Sequence, residues 1–148
     1  MSIKDQARDA APWQGIQAHL GYTDEEMAAF REVPRNEEIL SKAAALRSKT
    51  LVLEVVESHG CNSQHHVGDK IYLDAAGNLL TKPSPKKVCI YALGAAAPLV
   101  FATTELIYAG VEPNDMRFRR AACMDVGVQC GGWGRIVLEL RVQDRTKD

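Results

Sequence analysis

Three of the four histidines fall within His59-Gly60-Cys61-Asn62-Ser63-Gln64-His65-His66-Val67-Gly68-Asp69, a polar stretch between two apolar ones. Cys61 and His65 are a soft thiolate donor and an imidazole four residues apart, a spacing at which a turn can aim both at one ion. Cys89 stands at the start of a long apolar segment, where unpaired helical N–H groups favour thiolate over thiol, and Cys123 closes a short apolar run. Brought together, these side chains would form a set of three cysteines and one histidine, suited to tetrahedral zinc at about 2.3 Å from sulfur and 2.0–2.1 Å from nitrogen. No Cys-x-x-Cys pair is present. Spacing alone therefore leaves a second reading of Cys89 and Cys123, as small buried hydrophobes. The clustered cysteines of ferredoxins are also missing, which ranks iron or an iron–sulfur cluster below zinc. His66, Cys130, Trp133 and Arg135 are the residues that would support the ligands or contact a substrate, the other reading being that His59 and His66 are solvated loop residues and Cys130-Gly131-Gly132-Trp133-Gly134 a flexible turn with an aromatic anchor.

The pattern Cys61-x3-His65-x-Val67-Gly68-Asp69, then Cys89-x-x-Ala92-Leu93 opening an apolar helix with Pro98, then Cys123-x-Asp125 ahead of a last strand, resembles a family of small uncharacterised prokaryotic proteins of about ninety residues. The likeness runs from about Thr50 to Val142. It implies a shared site at Cys61, His65, Cys89 and Cys123 and names no reaction. The family usually carries Gly before the histidine and Pro after the second cysteine, where this chain has Gln64 and Ile90.

Three functions fit these residues. With all four ligands on the metal no position stays open for water, and the site adds folding free energy rather than catalysis: a small metal-binding protein. If one of the four is a nucleophile or gives way to substrate, the chain is a small lyase or hydrolase, with Cys130 and His66 as helpers and Trp133 and Arg135 as a substrate wall. An accessory subunit of an enzyme complex would dock through the Ala- and Gly-rich segment, whose small side chains permit close approach.

Positioning these residues requires a core. The 148 residues are 46% hydrophobic and 25% charged, the composition of a chain that buries a core without disulfides. A net charge of −1 lacks the basic footprint of a nucleic-acid or membrane-surface binder. Lys86-Lys87 and Arg117-Phe118-Arg119-Arg120 then read as solvated faces. Met1–Asp9 alternates charges where a secretory signal would be apolar, and four unpaired cysteines suit a reducing cytoplasm. The longest uncharged run, Val88 to Thr104, spans 17 residues and contains Gly94 and Pro98, so it reads as a buried or interface helix rather than a membrane span. Its apolar surface is too wide for one sheet to cover, which points to a homo-oligomer or a partner protein.

Residues 1–49 read as a helical extension. Thr23-Asp24-Glu25-Glu26 is a capping box, the helix it starts ends before Pro34, a second begins at Asn36, and a short one is expected near Trp13 to Leu20. From Thr50 the period changes to that of strands: a central strand through Val56, a hairpin of Lys70–Asp74 and Leu79–Thr81 around Ala75-Ala76-Gly77-Asn78, a helix from about Lys86 to Ala109 kinked or broken at Pro98, and strands near Arg117–Cys123 and Arg135–Gln143. The expected fold is α+β: a small, mainly antiparallel sheet or partly open barrel in a core domain over 50–148, packed on one long Ala-rich helix.

Overall fold

The structure, a computed structural model, describes residues 13–146, and the charge-alternating Met1–Asp9 lies outside the described residues. Packing divides the chain into two compact units, one ending at Ala43 and the other beginning at Ala44.

Helix formation in the first unit follows its caps. α1 covers residues 13–20 and α2 Asp24–Arg31. The Glu26 N–H donates to Thr23 Oγ1 at 3.2 Å while the Thr23 N–H donates to the Glu26 carboxylate at 2.8 Å, closing the capping box. Phe30 collects the aromatic rings, with Trp13 at 6.1 Å and Tyr22 at 5.8 Å between centroids. α3, Pro34–Ser41, begins two residues ahead of the expected Asn36. Proline suits the first helical position, where a missing N–H costs nothing, and Asn36 Nδ2 instead ties the new helix to the Phe30 carbonyl at 2.8 Å.

α4, Ala43–Arg47, leads into the second unit, and its Leu46 joins the main core. Five strands follow: β1 Lys49–His59, β2 Lys70–Asp74, β3 Leu79–Leu80, β4 Arg120–Ala122 and β5 Arg135–Asp144. They form one open antiparallel sheet in the order β3-β2-β1-β5-β4. The fold is α+β with an open sheet, not a barrel.

β1 is central because its apolar residues meet apolar partners on both sides: Leu53 lies opposite Ile71 and Leu140, and Leu51 opposite Leu73 and Val142. The inward faces of β1, β2 and β5 are almost wholly buried. The outward face carries crossed charge pairs, Arg120 with Glu139, Arg135 with Glu57 and Arg141 with Glu54. β4 is shorter than expected. It is an edge strand with one neighbour, and ahead of it the Arg117 guanidinium turns back over the Phe118 ring at 4.3 Å. The Asp74 carboxylate accepts the Ala76 and Asn78 N–H groups and so closes the β2–β3 turn, with Gly77 at φ +89°.

α5, Ile90–Tyr108, lies on the sheet through Ala92, Ala96 and Thr103, one face of a helix. No break occurs at Pro98. Its missing hydrogen bond would have gone to the Gly94 carbonyl, and both residues are exposed. By length and composition alone, with a mean hydropathy of 1.6, α5 could cross a membrane. Ile90, Tyr91 and Phe101 are exposed along it.

Truncating the centre of the sheet should be costly. Leu53→Ala is expected to destabilise by about 2–5 kcal/mol, from lost transfer energy plus the cavity left behind, whereas Arg141→Ala on the open face should cost under about 1 kcal/mol. Urea unfolding followed by circular dichroism measures both.

Candidate functional site

Cys61, Cys89 and Cys123 come from three separate parts of the chain and line one cavity of about 380 Å³. Each is half-buried with a free thiol. Its other walls include Ser63, Tyr91, Met124, Asp125, Trp133 and Arg135.

The sheet brings them together through its irregular end. β1 bulges between Val55 and Glu57, where the Val55 N–H donates to the Asp69 carbonyl and its carbonyl accepts the Gly68 N–H, both at 2.9 Å. Such a bulge re-aims a strand end. Beyond His59 the chain turns at Gly60, φ +64°, so close to the start of β5 that a Cβ there would stand 2.9 Å from the Trp133 carbonyl oxygen, and a Cβ on Gly134 would run into the Gly60 carbonyl. Glycine at both positions lets the Cys61 loop cross the Trp133 loop. Cys123 directly follows β4, its N–H donating to the Ile136 carbonyl at 3.0 Å, and its sulfur accepts the Ile136 N–H at 3.4 Å.

Cys89 is the N-cap of α5. Its side chain makes no cap hydrogen bond of regular geometry. Burial works against charge on this thiol, but the Ala92 N–H, the Ser63 hydroxyl and the Tyr91 N–H outweigh it and hold its pKa below the ordinary cysteine value.

His65 is 3% exposed and sits beneath the loop. Its Nε2 accepts the Cys89 backbone N–H at 3.1 Å, and its Nδ1 lies 4.0 Å from the Asp69 carboxylate. The lone pair expected to bind a metal is thus engaged by a peptide group, and His65 lines a neighbouring cavity of about 440 Å³ with His66. As these side chains stand, the four-ligand set does not fit zinc. Among the described residues, no three His, Cys, Asp or Glu side chains are grouped so as to hold a metal ion. Trp133 lines both cavities and is 74% exposed. Arg135 lies on the wall of the cysteine cavity, its guanidinium 2.9 Å from Glu57. Cys130 is exposed on the short 3-10 turn Val128–Cys130 and lines neither cavity.

Asp125 and Ser63 are site residues that reading for metal ligands missed. The Asp125 carboxylate accepts the Gly134, Gly127 and Trp133 N–H groups at 3.0 Å each, and those bonds, that of Gly134 foremost, hold its pKa below the carboxylate range. The signal was available: an Asp two residues before Gly127, in a loop with Gly131, Gly132 and Gly134, has the form of an Asx turn.

The two departures from the resembled pattern fall at special backbone positions. Gln64 has φ +61°, in the left-handed region glycine occupies freely, and Ile90 is the first residue of α5, where proline is well placed.

Comparison of the chain with protein-family models, with curated proteins and with solved structures finds no match in any of the three.

Two outcomes test this geometry. Because the folded Asp125 pKa is lowered, its contribution is complete above the ordinary carboxyl value and is lost as pH falls through the lowered one. The Trp133 loop should therefore loosen in acid, below about pH 4. Asp125→Asn, which sets an amide donor among N–H donors, should loosen it already at neutral pH. Limited proteolysis between Met124 and Gly134 reads both. Gln64→Val should cost about 1–3 kcal/mol through backbone strain, with Gln64→Gly neutral or stabilising, as thermal unfolding would register.

Proposed function

We propose that this is a thiol-dependent protein whose working group is the Cys89 thiolate, acting as a nucleophile on a small molecule that enters the three-cysteine cavity past Tyr91, Met124 and Trp133. The observation that carries this reading is the placement of Cys89 as N-cap of a 19-residue helix, inside a cavity and beside the Ser63 hydroxyl. A thiolate is the nucleophilic form of cysteine, and lowering its pKa raises the fraction present at neutral pH. A reducing cytoplasm would keep these thiols free.

A second reading, a soft-metal site of zinc or, failing that, iron, is favoured by one observation: Cys61, Cys89 and Cys123 share a cavity. Three thiolates suit either metal, would leave a fourth position open, and would have to rotate inward to share an ion. The apolar residues exposed along α5 support a second copy of the chain or a partner subunit as their cover.

Iodoacetamide labelling against pH, resolved by peptide mass spectrometry, tests the thiolate. Cys89 should alkylate with a midpoint below that of exposed Cys130, and Ser63→Ala should move that midpoint up. A Cys89 that titrates no lower than Cys130 would overturn the reading. Elemental analysis of anaerobically purified protein tests the second: one zinc or iron per chain, lost together with melting temperature in Cys61→Ser and unchanged in Cys130→Ser, would establish it.

A further inference from the structure

The loop that carries Cys61 holds the start of α5 through His65, whose Nε2 accepts the Cys89 backbone N–H at 3.1 Å, and Ser63 of the same loop lines the cavity with Cys89. Cys61, two residues before Ser63, lines the same cavity and its thiol is free. Cys123 is differently placed, since its sulfur already accepts the Ile136 N–H and lies 3.9 Å from the Asp125 carbonyl. The mouth is apolar and open: Tyr91, Met124 and Trp133 are all exposed, and about 380 Å³ is room for a small organic molecule. A thiolate with a second, uncommitted thiol on the loop that touches it is the arrangement of a peroxide-reducing pair.

We infer that this cavity reduces organic hydroperoxides, with Cys89 as the attacking thiolate and Cys61 as the thiol that resolves it. In the first step Cys89 sulfur attacks the terminal oxygen of R–O–O–H. The S–O bond forms as the O–O bond breaks, leaving Cys89 as a sulfenic acid and releasing alkoxide, which takes a proton from solvent. In the second, the Cys61 thiolate attacks the Cys89 sulfur, hydroxide leaves as water after gaining the Cys61 proton, and a disulfide remains. Two thiols and one hydroperoxide thus give one disulfide, one alcohol and one water, the protein itself supplying both electrons. The apolar mouth selects a hydroperoxide with an apolar R group over hydrogen peroxide.

This inference rests on the thiolate reading, and its test is separable from it. Reduced full-length protein is treated with one equivalent of cumene hydroperoxide; thiols are counted with a chromogenic disulfide, the alcohol is measured by chromatography and the disulfide is mapped by mass spectrometry. Two thiols should be lost per alcohol formed, with Cys61 joined to Cys89. Cys89→Ser should slow alcohol formation at least about tenfold, as loss of the attacking thiolate requires. Cys61→Ser should accumulate a Cys89 sulfenic acid that dimedone traps, and Cys130→Ser, on a thiol outside the cavity, should react as the wild type does. The wild-type disulfide map requires no variant to fold. A disulfide joining any other pair, or consumption no faster than by free cysteine, would overturn the inference, while a low-pH alkylation midpoint at Cys89 would leave the thiolate reading standing.

Discussion

The hydrogen bond from the Cys89 backbone N–H to His65 Nε2 joins the two parts of the chain on which the site depends, the loop after β1 and the start of α5. A neutral imidazole offers one acceptor nitrogen, so taking the Cys89 N–H commits the ring to a structural task. The first N–H groups of a helix have no partner within it. With the peptide N–H of Cys89 satisfied by His65, the N–H groups of Tyr91 and Ala92 remain to favour charge on the Cys89 sulfur. The histidine acts on the thiolate through the backbone and does not compete with it for a ligand.

That bond needs a rigid platform, which β1 supplies. Its inward leucines and valine are fully buried between β2 and β5, and they carry most of the stability of the unit, because the exposed ion pairs on the outer face contribute little each. The sheet is regular where it is buried and irregular at its end, where the bulge at Val55, the left-handed Gly60 and Gln64 and the tight Gly60–Gly134 crossing pack two loops against each other. Strain and close approach concentrate at the cavity.

α5 serves two surfaces at once. Ala92 and Ala96 are small enough to seat its backbone close on the sheet, which puts its amino end beside Cys61 and Cys123. The same economy leaves Ile90, Tyr91 and Phe101 outside. Tyr91 belongs to both, as a wall of the cavity and as an exposed apolar residue of α5.

Local rules sufficed for the elements. The Thr23 capping box, the Asp74 turn, the alternation of β5 and the apolar run of β1 depend on neighbours within a few residues, so hydrophobic period and cap chemistry determined them and, with them, the α+β class. The start of α3 shifted because a proline at its first position outranks an asparagine cap, and α5 runs unbroken through Pro98, where that residue and Gly94 are both exposed. The grouping of Cys61, Cys89 and Cys123 in one cavity was legible as residue types that seek the same chemistry. What His65 does was not, because a ligand and a backbone acceptor use the same lone pair, and only the three-dimensional path of the chain decides which donor reaches it first. Asp125 is the same case: an aspartate in a glycine-rich loop is ordinary in sequence, and it becomes the hub of the Trp133 loop only once Gly134 has been drawn against Gly60 by the pairing of β1 with β5.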